Sequence, residues 1–404
     1  MIVAVIGGGA SGMAAAISAA EQPETQVILL ERQGRVGRKL QATGNGRCNL
    51  SNLHASQPHY HGDDPTFVIN ALSQYTPVET LNWFRELGLY TVTEVSGKIY
   101  PYSDQANSVV DVLRFALERE NLQLVTGYEV QKIRRNCTGF LVDGTGDPVF
   151  CDRLIVACGG LAGGKLGGSM AGYKLLRSFG HHVTKLRPSL VQIKCGWDGI
   201  GALKGVRANC HVVMTRDGVT VAESTGELQL TENGLSGPVI FEISRDICQG
   251  AGFWSARLDF LPDLNETALQ TELAQRRATK LPAEELLTGI LHNRLGRVLT
   301  RAAGIRGNRM IAELTDRELV AVCSAVKGFE IPLTEPLGMD SAQVTAGGVL
   351  TSEFDSQTME SRLVPGLYAC GEVLDIDGDC GGYNLQWAWS SGRLAGRCAG
   401  EVTP

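Results

Sequence analysis

The chain opens with a continuous β-branched run, IVAVI at 2–6, that leads straight into Gly7-Gly8-Gly9-Ala10-Ser11-Gly12 and then a small-residue stretch from Met13 to Ala20. This junction constrains the fold more than any other feature. A strand buried on both faces reads as such a run, and the glycines admit a tight strand-to-helix turn. Gly7 allows the turn, Gly9 lets the backbone approach a pyrophosphate, and Gly12 lets the helix lie close on the strand. A second apolar run ends in Glu31, 19 positions beyond Gly12. The spacing predicts a β-α-β unit whose helix N-terminus, at Ala10 and Ser11, offers free N–H groups to phosphate. Glu31 would then accept from ribose hydroxyls.

Composition sets the outer limits. With 404 residues the chain is long enough for two or three domains, and 43% hydrophobic residues supply a core. Its 49 glycines show no collagen-like period and imply many tight turns. The formal net charge of −6 weighs against a polyanion as the main partner. No run is long and apolar enough for a membrane span, and the start does not read as a signal peptide. Eleven cysteines, an odd number without a C-x-x-C, suggest free thiols in a reducing cytoplasm. No metal site is expected.

Along the chain, 32–47 is a basic, Gly-rich loop holding Arg32, Arg35, Arg38, Lys39 and Arg47 without an acid, suited to neutralising phosphate. Helices are expected near 66–74, 77–87 and 107–120, and short strands over 122–156. From about 187 the texture becomes alternating segments with a hairpin turn at Arg216-Asp217-Gly218, then a helical stretch over 265–327. After Gly338 the Gly-rich α/β texture returns, with a strand at 367–370 and a helix over 384–400. The simplest organisation is a dinucleotide-binding α/β domain, 1–186 plus 338–404, interrupted by an inserted domain at 187–337.

The returning segment argues for FAD. A strand runs into Gly371-Glu372, as if to meet a ribityl chain, and Gly381-Gly382-Tyr383-Asn384-Leu385 opens the last helix. A helix N-terminus there would stabilise negative charge on a reduced flavin. The turn at Ala157-Cys158-Gly159-Gly160 is a further close backbone approach. No second G-x-G-x-x-G follows a strand, so NAD(P)H is expected only as a transient co-substrate.

Taken together, 7–12, the Gly-Arg-Lys…Thr-Gly-Asn-Gly-Arg-Cys-Asn segment at 37–49, 157–160, Gly-Leu-Ser-Gly-Pro at 234–238, 344–349 and 371–386 resemble the HI0933-like flavoproteins, also called the BaiN-like or aminoacetone oxidase family. The resemblance spans nearly the whole chain. It implies a tightly bound FAD and a Rossmann-like domain of the two-dinucleotide-binding type. It also implies an insertion with a β-barrel-like part and a helical part, and oxidase or NAD(P)H-dependent reductase activity on a small organic substrate. The residues expected to hold FAD are Gly7, Gly9, Ala10, Ser11, Gly12, Glu31, Arg32, Arg38, Lys39, Gly46, Arg47, Cys48, Asn49, Val130, Ala157, Gly159, Gly371, Glu372, Gly382, Asn384 and Leu385. Two departures fall where substrate contacts are expected. Glu232 follows Thr231 where relatives usually carry His, and 161–172 differs around Lys165. Tyr383, Glu232 and Lys165 are therefore the candidates for acid–base work.

Other readings compete. Gly159 to Leu166 nearly matches a phosphate-binding loop but ends in Leu166, which cannot ligate Mg²⁺. Cys48 has no partner within ten residues for a thiol-redox role. His54, His59 and His61 read as a surface loop, and Asp375, Asp377 and Asp379 as cofactor-side turn chemistry lacking the acid that calcium needs. An RNA-interacting flavoprotein and a non-catalytic flavin-binding module remain as alternatives of another class.

Overall fold

The structure, a computed structural model, describes residues 1–248 and 250–401. It divides into two compact units, Met1–Arg187 with Gln343–Pro404, and Pro188–Ala342.

The first unit is built on a five-stranded, all-parallel sheet in the order Leu367–Ala369, Arg153–Val156, β1 (Ile2–Ile6), β2 (Gln26–Glu31), Leu122–Thr126. The β-branched run therefore lies at the centre, with Val3, Ala4 and Val5 fully buried. Between β1 and β2 runs α1 (Ala10–Ala20), an almost wholly buried Ala-rich helix. The last helix, Tyr383–Gly400, lies against it through a seam of small residues. A Cβ on Gly392 would stand 2.4 Å from Ser11 O, and one on Gly396 2.2 Å from Ala15 O. Only glycine at these positions, one turn apart, lets the two backbones come so close. A returning C-terminal helix is thereby locked onto the first helix of the chain.

The expected short strands over 122–156 form as five, three of them in a separate antiparallel sheet at Val130–Arg135, Phe140–Gly144 and Val149–Cys151. Helix 77–87 forms as Pro77–Glu86, its start fixed by Thr76 accepting the Glu79 N–H. The helix expected over 107–120 stops at Ala116.

The second unit contains a closed six-stranded antiparallel barrel, in the order Ile193–Cys195, Gly234–Ser236, Val219–Leu230, Arg207–Arg216, Trp254–Asp259, Phe329–Pro336. Asp217 and Gly218 both take positive φ, 51° and 82°, at the predicted hairpin. The helical stretch 265–327 forms as three α-helices, Glu266–Gln275, Asn293–Ala302 and Asp316–Lys327. Gly289 and Gly304, at φ 83° and 85°, break it. No helix among the described residues is long and apolar enough to cross a membrane.

Candidate functional site

The strand-to-helix turn is shaped as its glycines require. Gly7 sits at φ +108° and donates to Leu30 O at 2.8 Å, and a Cβ on it would meet Ala157 O at 2.5 Å. A Cβ on Gly12 would stand 1.7 Å from Gly7 O. Gly9 differs. It precedes α1 without any side-chain cap, and a Cβ there would meet nothing within 4 Å. The first turn, with Ala10 and Ser11, thus presents a positive dipole end to open space, the cradle a pyrophosphate needs.

Glu31 ends β2, only 9% exposed. Its Oε2 accepts the Gly8 N–H at 2.7 Å and its Oε1 the Gln33 N–H at 2.6 Å. A carboxylate has about four lone-pair positions, so two remain for ribose hydroxyls. Arg32 donates to Gly167 O at 2.5 Å and ties the 159–169 loop to this end, while Arg38 turns to Gln33 Oε1 at 2.8 Å. Tyr128 N–H donates to Glu31 O at 2.9 Å, which brings the start of the strand at Val130 alongside. Ala157 donates to Ile6 O at 2.9 Å, and Gly159 beyond it takes φ +68° with open space where a side chain would stand.

At the other end, Gly371 (φ +76°) donates to Ser391 Oγ at 3.0 Å and accepts from Trp387 Nε1 at 3.2 Å, and a Cβ on it would stand 2.4 Å from Ser11 Oγ. Glu372 follows. Its Oε2 pairs with Lys39 Nζ at 2.8 Å and its Oε1 accepts the Thr345 N–H at 2.9 Å. Lys39 therefore answers a carboxylate in this structure. Gly382 caps the last helix at φ +101°, again without a side-chain cap, and a Cβ there would stand 2.3 Å from Ser51 O and 2.9 Å from Asn49 Oδ1. Asn49 Oδ1 is buried with no hydrogen-bond partner among the described residues. A buried acceptor left open beside an uncapped helix start fits a flavin's polar edge.

The loop between carries unusual backbone. Gly44, Asn45, Gly46 and Cys48 all lie at positive φ. Cys48 is fully buried, and burial pushes its thiol up to about 12. Arg47 points elsewhere, pairing with Asp104 and lying 4.3 Å over the Tyr100 ring on the exposed side. Asn384 closes the loop before it, its side chain meeting both Gly378 N at 2.8 Å and Gly378 O at 2.7 Å, while Leu385 is half-buried against the core.

The structure also joins residues that the sequence reading kept apart. The strand Tyr60–His61 pairs antiparallel with Asp377–Gly378. This sets His59 Nδ1 2.9 Å and His61 Nε2 2.7 Å from the two oxygens of Asp379. Burial alone would raise that carboxyl, but hydrogen bonds from His61 and His59 outweigh it and hold it below its usual range. Two of the three histidines of the expected surface loop thus belong to a hydrogen-bonded cluster with Asp379. The signal was present as two alternations, His-x-His and Asp-x-Asp, which needed only to be paired.

Of the acid–base candidates, Tyr383 is buried at the last helix start, its ring stacked on His59 at 4.4 Å. Lys165 is exposed in the Gly-rich loop. Glu232, in the second unit, pairs with Lys204 at 2.7 Å, and that hydrogen bond holds its carboxyl below the usual range. His181 is a core histidine between Glu353 and Ser361, and His211 bonds Thr225. No cluster suited to a metal ion occurs among the described residues.

Comparison with known proteins agrees with this arrangement. The family model of the HI0933-like protein Rossmann domain matches residues 1–398. The chain is 41% identical to the 3-dehydro-bile acid delta(4,6)-reductase of Clostridium scindens, over 99% of both chains. It is 34% identical to the ribosomal RNA dihydrouridine synthase of Escherichia coli K12, over 98% of this chain and 97% of that one. Among solved structures, the 3-ketosteroid delta1-dehydrogenase of Sterolibacterium denitrificans shares the fold, with a TM-score of 0.51 at 12% identity, covering 98% of this chain and 99% of that one. An uncapped Gly-rich turn, an acid at the end of β2 and an open acceptor beside the last helix all fit FAD, and the chain belongs to the HI0933-like family of FAD-dependent oxidoreductases.

Proposed function

We propose that this enzyme reduces a carbon–carbon double bond conjugated to a carbonyl, drawing its electrons from NAD(P)H. One observation carries the reading. The relatives at 41% and 34% identity are named for saturating such bonds, one in a 3-dehydro-bile acid and one in a uracil ring. The substrates differ, but the reacting group is the same in kind.

When bound, FAD supplies the two-electron chemistry. The chain's own residues supply the rest. The first turn of α1 and Glu31 hold the pyrophosphate and ribose. The Lys39–Glu372 pair, with Thr345, fixes a carboxylate beside the returning strand. Addition at the carbon remote from the carbonyl leaves a proton to be delivered to the adjacent carbon. Tyr383 is the strongest of the three candidates to hold it. Glu232 stays ionised beside Lys204 and is a poor acid near neutrality. Lys165 is exposed at the loop tied down by Arg32.

Among substrates, a small lipophilic enone is preferred to a base within RNA. The 34% relative favours RNA, but a chain of net charge −6 is poorly suited to a polyanion.

The test is anaerobic titration of the FAD-loaded protein with NADH and NADPH, followed by an unsaturated 3-oxo steroid acid or a uridine-containing RNA. Bleaching by a nicotinamide and recovery of colour with the enone is the expected result. Flavin that stays oxidised with both nicotinamides yet bleaches with a small amino ketone would overturn the reading in favour of an oxidase. Flavin that nothing reduces would leave a non-catalytic module.

A further inference from the structure

The last helix starts without a cap of its own. Gly381 and Gly382 precede it at φ +124° and +101°, and no side chain accepts from its first turn. An uncapped, glycine-led helix start frays unless tertiary contacts hold it. Here its first two residues are met by contacts from 59–61 and 378–379. The His59 ring stacks on Tyr383, at 4.4 Å between centroids and 23° between planes. Tyr60 donates its hydroxyl to Tyr383 O at 3.0 Å. The Asn384 side chain accepts from the Gly378 N–H, donates to Gly378 O, and reaches Asp379 O at 3.3 Å. Tyr383 and Asn384, the first two residues of the helix, are thus anchored on the same two short strands.

Those strands are themselves joined through Asp379. The strand Tyr60–His61 follows directly on the short turn that ends at His59, and its pairing with Asp377–Gly378 brings Asp379 to meet both imidazoles. Its two oxygens take one imidazole each, at 2.9 and 2.7 Å, and its N–H donates to His59 O at 3.0 Å. Each of the three side chains is about one-third exposed, at 35%, 34% and 36%, so the cluster sits at the rim of the fold and is not part of its core.

We propose that Asp379, bridging His59 and His61, is a positioning residue that holds the first turn of the last helix in place for the flavin. This rests on the assignment of that helix start to the flavin. Donors fixed in advance stabilise added negative charge without a reorganisation cost. The clamp therefore acts more on reduced than on oxidised FAD, through Tyr383 and Asn384.

The experiment compares wild-type holoprotein with Asp379→Ala and with His61→Gln, which keeps a donor where Nε2 stands. The readouts are the two-electron potential of bound FAD, the FAD dissociation constant, and amide hydrogen exchange across 381–386. Asp379→Ala is expected to hold reduced FAD at least tenfold less tightly relative to oxidised FAD, a fall of about 30 mV, with faster exchange at 381–386. His61→Gln should stay within twofold of wild type. Wild-type potential and exchange in Asp379→Ala would overturn the proposal. Should that variant not fold, His59→Asn serves, since it keeps a donor at the Nδ1 position but removes the stack on Tyr383. An unchanged potential there is equally fatal. A wild-type chain that takes up no FAD is a different failure: it overturns the flavin assignment first, and the clamp's purpose with it.

Discussion

Glu31 reaches back across 23 residues to accept the Gly8 N–H at 2.7 Å, so the acid that would bind ribose also shapes the phosphate turn. Replacing it by Ala strands two N–H groups, those of Gly8 and Gln33. Each lost acceptor in a buried setting costs about 1–3 kcal/mol. Glu31→Ala should therefore lower the melting temperature of the FAD-free protein as well as weaken FAD at least ~10-fold, about 1.4 kcal/mol. Glu31→Gln, with one acceptor oxygen left, should fall between. A melting temperature unmoved in Glu31→Ala would show that the turn holds without it.

Gly9 and Gly12 separate folding from binding. A methyl on Gly12 would stand 1.7 Å from Gly7 O, so Gly12→Ala must displace the backbone and should yield destabilised or insoluble protein. A methyl on Gly9 meets no protein atom within 4 Å. Gly9→Ala should melt within a degree or two of wild type when free of FAD, yet lose most FAD affinity, because the methyl enters space kept for phosphate. Calorimetry and flavin fluorescence on the same samples distinguish the two. Full FAD binding by Gly9→Ala would mean that the pyrophosphate lies elsewhere.

Glu318 gives the second unit a pH dependence of known sign. Arg309 and the Thr315 cap hold its carboxyl down to about 2, from hydrogen bonds made only in the fold. Its folded value lies below its unfolded one, so the unfolded state binds the proton more readily. The stabilisation is complete above an unfolded carboxyl value of about 4.3 and is lost as pH falls towards about 2. Denaturant midpoints measured at intervals from pH 6 to pH 2.5 should decline, and in Glu318→Gln part of that decline should vanish. Parallel curves for the two proteins would assign the acid sensitivity to other carboxylates.

How much of this could be read from the residues alone follows from how local each signal was. The β-α-β unit announced itself because a buried strand, a glycine turn and an acid sit within about thirty residues, and their chemistry is set by sequence neighbours. The hairpin at Asp217-Gly218 was legible for the same reason: positive φ at both central positions demands such residues. The stretch 265–327 was legible as helical from its apolar spacing, but its division into three helices was not. Lys39 and Arg47 looked alike in a basic loop, yet one meets Glu372, 333 positions away, and the other Asp104, 57 away. Charge counts cannot choose such partners. The Asp379 cluster was hidden more deeply, because 318 residues separate His61 from its carboxylate.

Cys48 decides between hydride chemistry and thiol chemistry. Its side chain is fully buried, and burial pushes the thiol up to about 12 despite a hydrogen bond with Thr43. Near pH 8 little of it would carry the thiolate, the only form that attacks a disulfide. Cys158 and Cys370 are pushed up to about 12 by the same cause. Brief treatment of the native protein with iodoacetamide at pH 8 should therefore label the exposed Cys137 and spare Cys48. Cys48→Ala should keep its FAD and lose no more than a few-fold in turnover with a nicotinamide, the cost being the packing of one small side chain. Rapid alkylation of Cys48, or loss of all turnover in Cys48→Ala with FAD still bound, would put the thiol at the centre of the reaction and displace the double-bond reduction proposed above.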